Sequence, residues 1–229
     1  MHPLTNAQRA WLFPLVIGLL AGAAACRSNP QVIAVADARI LRVARSAIAE
    51  TRDTSEASLQ ESHFEITSTE SAAVPGLYWH RATYERPGTH HMFTVATLFE
   101  IDSVVKAVRR ASDVTHLLDG RVLGDGAQAV AFCIEIAQAV GKRGTSKEPA
   151  IPYRSESTLD EVGFETTAPP WHERLYPPTT AFAGTSWEVS FWLFEPNQVT
   201  EYKCTVDTSG IAGISAIDSL LGGRPPETP

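Results

Sequence analysis

The feature that most constrains this chain is its first 26 residues. A single arginine, Arg9, precedes an apolar run over 10–22, which is followed by Ala23, Ala24, Ala25 and Cys26. A helix needs about 20 apolar residues to cross a hydrocarbon layer of roughly 30 Å, so the run is too short to span, and the small residues behind it suit a signal-peptide cleavage site. Residues 1–25 are therefore expected to be an export signal. The fold must then be built from the residues beyond the leader, in a compartment that permits disulfides.

The stretch Leu20-Ala21-Gly22-Ala23-Ala24-Ala25-Cys26 resembles the lipobox of bacterial lipoproteins, with Ala23 standing where that family prefers leucine. The resemblance implies that the Cys26 sulfur receives a diacylglycerol, that cleavage makes Cys26 the mature N-terminus, and that residues 26–31 form a lipidated tether. Secretion with Cys26 unmodified is the alternative. Two or three acyl chains, each methylene contributing about 0.8 kcal/mol on burial, hold a soluble domain durably at a membrane. Arg27 is not the aspartate associated with inner-membrane retention. In a diderm organism this implies the outer membrane, facing the periplasm. The expected partners are the membrane, through the anchor, and an envelope protein.

The whole chain carries a net charge of −7, and removing residues 1–25 removes only Arg9, so the mature chain carries −7 less one, −8. An acidic domain gains no counterion-release affinity for nucleic acid, so DNA and RNA are not expected partners. With 44% hydrophobic and 20% charged residues, the roughly 200 mature residues suffice for one large core or two small ones.

Hydrophobic periodicity organises the interior into two halves, 32–122 and 123–221. Each opens with a helix. Val35, Ala38, Ile40, Leu41, Ala44 and Ile48 mark the apolar face of the first, and Ala129, Phe132, Cys133, Ile136, Ala137 and Val140 that of the second. A short strand comes next in each, His63-Phe64-Glu65-Ile66-Thr67 and Gly163-Phe164-Glu165-Thr166-Thr167. A tryptophan-led meander then closes each, from Trp79 with turns at Arg86-Pro87-Gly88-Thr89 and Asp102-Ser103, and from Trp187 with turns at Glu195-Pro196-Asn197-Gln198 and Asp207-Thr208-Ser209-Gly210. The expected fold class is α+β, two tandem layers of a helix on an antiparallel meander, with an internal duplication as one explanation of the likeness. Trp187-Glu188-Val189-Ser190 together with the strand from Tyr202 to Val206 is similar to the closing hairpin of PepSY-type envelope domains and, more broadly, to cystatin-like modules. That resemblance implies binding, inhibition or structural duties and supplies no catalytic residue. Residues 222–229, rich in glycine and proline, are expected to be a disordered tail.

The segment 142–185 interrupts the second half. It holds six prolines yet also Tyr153, Trp171, Tyr176 and Phe182, too aromatic for a free linker, so it is expected to pack on the second sheet. Tyr153, Trp171 and Tyr176, beside the seam between the two sheets, are the candidate binding surface. An ordered insertion that only covers a sheet face is the simpler alternative.

Chemistry is sparse. Cys133 lies on a helix stripe and Cys204 on a strand face, each inward, which leaves a disulfide and two buried thiols as equal alternatives. His80, His90, His91, His116 and His172 offer no H-E-x-x-H spacing, and a metal site would have to combine the halves, for example His80 and His91 with Glu85 or His172. No metal, cofactor or catalytic set is expected. Gly184-Thr185-Ser186-Trp187 and Gly213-Ile214-Ser215-Ala216 lack the second glycine of a nucleophile elbow. Residues 120–126 lack the lysine of a phosphate loop, so Asp125 is expected to cap a helix. Glu65 and Glu165 occupy matched strand positions without evidence of a shared cleft. Lys106, Arg109 and Arg110 form a small basic patch suited to an acidic partner or a lipid headgroup, unless it is only a solvated strand end. The function expected is a non-catalytic binding or structural module of the envelope. The alternatives are an exported hydrolase, metal-dependent or not, with a site at the seam, and a peptidase inhibitor.

Overall fold

A computed structural model describes residues 31–32, 37–88, 92–118, 121, 123–140, 150–162, 170–195 and 198–220. Cys26, the leader, the tail, His90, His91 and the strand expected over 163–167 lie outside these. The fold is α+β, as the periodicity requires.

The first sheet is a five-stranded antiparallel meander in the order β1-β2-β3-β4-β5, with β1 at Gln31–Val32, β2 at Phe64–Glu70, β3 at Tyr78–Glu85, β4 at Phe93–Ile101 and β5 at Val104–Val108. The β4–β5 turn is two residues long and places Asp102 at φ 49° and Ser103 at φ 63°, the left-handed pair that lets a tight hairpin match the strand twist. Helix α1, Ala38–Thr51, starts where the Asp37 carboxylate accepts the Arg39 amide at 2.8 Å. Its apolar stripe, Ile40, Ala44, Ala47 and Ile48, lies on the face of the sheet that presents Ile66, Ala82, Tyr84, Ala96 and Leu98.

The second sheet runs β10-β9-β8, from β8 at Ser186–Glu195, β9 at Gln198–Asp207 and β10 at Ala212–Leu220. The outer edge of β8 is shared, β7 (Thr179–Ala183) pairing with Ser186–Ser190 and β6 (Ile151–Pro152) with Leu193 and Phe194. Helix α2, Gly126–Val140, is capped by Asp125, which accepts the Gln128 amide at 2.9 Å, as expected. The two halves thus share an order of helix then four-stranded meander, α1 with β2 to β5 and α2 with β7 to β10.

The two tandem layers share a core. Helix α2 packs against β7, β8 and β9 and also reaches β4 of the first sheet. A single core joins Leu77 and Phe99 of the first half to Phe132, Cys133 and Ile136 of α2 and to Val189, Phe191, Leu193 and Cys204 of the second sheet. Strand alternation explains how. Residues 80, 82 and 84 of β3 point to α1, so Trp79 points the other way, onto the α2 side, where it meets Phe99 edge-on at 6.3 Å. On the far face of the second sheet, Trp192, Phe194 and Val199 are covered by Tyr153, Leu159 and Tyr176. The stack is α1, first sheet, α2, second sheet, then the proline-aromatic segment, which includes a short helix α3 at Ser157–Glu161.

Candidate functional site

The stacking decides the fate of each expected site residue. The seam proposed for binding or hydrolysis is filled by α2, and its polar groups are spent on holding the layers together. Glu135 of α2 accepts from Ser71 Oγ at 2.6 Å, the Ala72 amide at 2.8 Å and Trp79 Nε1 at 2.9 Å, tying α2 to the first sheet. Burial raises its pKa above the ordinary range of a glutamate, and those hydrogen bonds oppose the rise. Cys133 and Cys204 form a disulfide with an S–S distance of 2.08 Å, stitching α2 to β9, so the thiol alternative is excluded.

Of the expected aromatic surface, Tyr153 is corrected. Tyr153 is buried at 6% exposure and packs on Phe194, leaving little of it for a partner to touch. Tyr176 sits edge-on to Trp192 at 6.1 Å, and its hydroxyl donates to Glu201 Oε1. Burial and then Glu201 push its pKa up to about 12. These aromatics cover a sheet face, because Trp192 and Phe194 would otherwise meet water. Trp171 lies in a helical turn, Pro170–Arg174, and its side chain is outside the described residues.

The described histidines do not converge. Among the described residues no three His, Cys, Asp or Glu groups could hold a metal ion. His80 faces α1, while His172 lies in the segment beyond the second sheet, so the first sheet, α2 and the second sheet intervene. Glu85, an odd-numbered position, leaves β3 on the face opposite His80.

His80 instead joins a chain of polar groups that the sequence did not announce. It is 3% exposed; its Nδ1 lies 2.8 Å from Ser68 Oγ and its Nε2 3.4 Å from Glu100 Oε2 without a hydrogen bond. Glu100 is paired with Arg39, and Arg39 with Asp37. Desolvation lowers the His80 pKa, outweighing the opposing pull of Glu100. The signal was the register: β2 pairs Ser68 with His80, and β4 places Glu100 opposite Tyr78, one diagonal step away. Such pairings are set by long-range contacts and cannot be counted off a sequence.

A concave feature among the described residues lies at the β5 edge of the first sheet. A cleft of about 540 Å³ opens between α1 and β5, lined by Arg42, Val43 and Ser46 of α1, by Glu56, and by Lys106, Ala107, Arg109 and Asp113. Strand β5 is five residues long, and the chain leaves it through the helical turn Ala111–Asp113, which brings Asp113 to the cleft. Asp113 is already engaged, accepting the amides of Arg109 at 2.6 Å and Arg110 at 2.9 Å, with the Arg110 guanidinium 3.6 Å away. Burial raises its pKa, and those two amides together with Arg110 overcome the rise and hold it below the usual carboxylate range. Arg109 pairs with Glu50. Arg42 and Lys106 have no ion-pair partner among the described residues. The basic patch expected from Lys106, Arg109 and Arg110 is therefore one wall of a cleft, with Arg110 turned to Asp113. Sequence reasoning did not find Arg42, because only packing brings α1 opposite β5.

No protein-family model matches the chain, and neither curated proteins nor solved structures yield a match. Among the described residues no helix is long and apolar enough to cross a membrane.

Proposed function

We propose that this chain is a lipid-anchored protein of the bacterial cell envelope that acts by binding, or by structural support, without chemistry of its own. The observation that carries the binding reading is the α1–β5 cleft. There Arg42 and Lys106, without ion-pair partners among the described residues, line a concave space, while Glu135, His80 and the cysteines are engaged inside the fold. The Cys133–Cys204 disulfide supports export, since such bonds persist in oxidising compartments and are rare in the cytosol. The lipobox-like sequence ending at Cys26 supports the anchor. The shared order of helix and meander supports a duplicated module, and superposing residues 32–121 on 123–221 tests it.

The deciding experiment is mass spectrometry of the mature protein from a bacterial host that processes lipoproteins. The expected N-terminus is diacylglyceryl-Cys26; a chain beginning at Met1 or cleaved elsewhere overturns the anchor.

One observation favours a hydrolase as a second reading, with its site on the α1 side of the first sheet and not at the seam expected from the sequence. Ser68 Oγ lies 2.8 Å from His80 Nδ1, the contact of a nucleophile with a base, and the Glu100 carboxylate stands 3.4 Å from the other ring nitrogen without a hydrogen bond. It ranks second because Ser68 is half-buried on a sheet face, not presented on an exposed turn. A fluorophosphonate adduct on Ser68, lost in His80→Gln, would promote it above the binding reading.

A further inference from the structure

Resting on the binding reading, we infer that the α1–β5 cleft takes a phosphate monoester, held by Arg42, Lys106 and Arg109. The charge count points to this class. With Arg109 held by Glu50 and Asp113 by Arg110, Arg42 and Lys106 stand against Glu56 alone, an excess of two less one, +1, at rest; release of Arg109 from the exposed Glu50 raises it to three less one, +2. A phosphate monoester carries about −1.5 to −2 near neutral pH, which a carboxylate or a phosphodiester does not. The excess stands on a chain whose net charge is −7, so the cleft is a local reversal of sign able to concentrate an anion.

Geometry and polarity agree with the charge. Arg42 and Lys106 come from opposite walls, α1 and β5, so an anion between them is gripped from two sides. Arg109 reaches it by leaving Glu50, an exchange that costs little because both side chains are about half exposed. The Ser46 hydroxyl adds a donor that phosphate oxygens accept, and the apolar Val43 and Ala107 floor suits a short carbon body. Glu56 offers an acceptor for a hydroxyl or amine on that body. A volume of about 540 Å³ lies within the range of small-ligand sites. Two sources carry this chemistry: a soluble ester, and a lipid ending in a phosphomonoester, which an anchored domain would meet at the bilayer surface.

Lys106 provides the readout. The full chain is placed in phosphatidylcholine nanodiscs and labelled with an amine-specific reagent, with Lys203, paired to Glu188 at 3.4 Å on the second sheet, as internal reference. Glycerol 3-phosphate is expected to slow labelling of Lys106 and to leave Lys203 unchanged. Arg42→Glu is expected to raise the concentration needed by about tenfold or more. Arg42 is exposed, and an unchanged near-ultraviolet circular dichroism spectrum verifies that the variant is folded. Protection by phosphatidic acid in the nanodisc but not by glycerol 3-phosphate assigns the phosphate to a lipid; protection by the soluble ester assigns it to a free ligand. No protection of Lys106 by either, or protection that Arg42→Glu leaves intact, overturns the inference. The non-catalytic reading would survive that result, since it falls on a Ser68 adduct instead.

Discussion

The disulfide is expected to be the largest single stabilising link in the fold. It closes a loop spanning 71 positions of sequence and joins α2 to the strand it packs on. Loop-closure entropy for that length, from the relation −2.1 − 1.5R ln n, comes to about 4 kcal/mol at room temperature. A domain of this kind has a total stability of roughly 5–15 kcal/mol, so reduction removes a large share of it. The assay is urea unfolding of the oxidised and the dithiothreitol-reduced protein, monitored by tryptophan fluorescence. With an m-value of about 2–3 kcal/mol/M, the midpoint of the reduced form should fall by about 1.5–2 M. Both cysteines are fully buried, so dithiothreitol should react only through an opened state, and the rate of reduction should climb with urea below the transition. A stability difference below about 1 kcal/mol, or reduction at a rate indifferent to urea, would refute the reasoning. A protein held in a reducing cytosol would live with the smaller figure, which is how this bond couples the fold to the proposed compartment.

Three further outcomes rest on the same packing. Gly210 has φ +87°, and a Cβ there would collide with the Leu118 carbonyl, so Gly210→Ala should cost more than about 3 kcal/mol in urea unfolding, whereas a tolerated alanine would show that the contact between the halves is loose. His80 has its folded pKa depressed below 6.5 by burial, so the unfolded chain takes the proton first; thermal stability should decline as pH drops below 6.5, and His80→Gln should flatten that limb. Glu135 has the opposite sign, its folded pKa being raised above 4.5 by burial, so the folded state holds the proton more tightly and stability should fall as pH rises through the window above 4.5. Glu135→Gln should abolish that slope and, by setting an amide against the Trp79 and Ala72 donors, cost about 1–3 kcal/mol at neutral pH; an unchanged slope assigns it to another group.

Much of the fold could be read locally. The 3.6-residue stripe of α1, the alternation along β8 and β9 and the left-handed turn at Asp102-Ser103 depend on neighbours in the chain, and each element lies where its pattern placed it. Helix α2 holds a further local signal. It carries Val130, Ala131 and Ile134, partly buried against the core, in addition to the fully buried Phe132, Cys133 and Ile136 stripe. A helix apolar on nearly every side is a buried one, which suits a place between two sheets and not on one.

The candidate site was less legible. Lys106 and Arg109 are near neighbours in sequence and could be seen as a patch, but Arg42 and Glu56 join them only because α1 packs against β5. Ser68, His80 and Glu100 meet only through the register of two hairpins. The chain alone determined the two long helices, the meander strands, the inward faces of both cysteines and the acidic balance, because hydrophobic period, charge and turn chemistry act over a few residues. Tertiary structure decided that Cys133 and Cys204 bond, that Tyr153 is buried, that α2 closes the seam and that cations gather beside α1, because each depends on which surfaces bury one another across tens of residues.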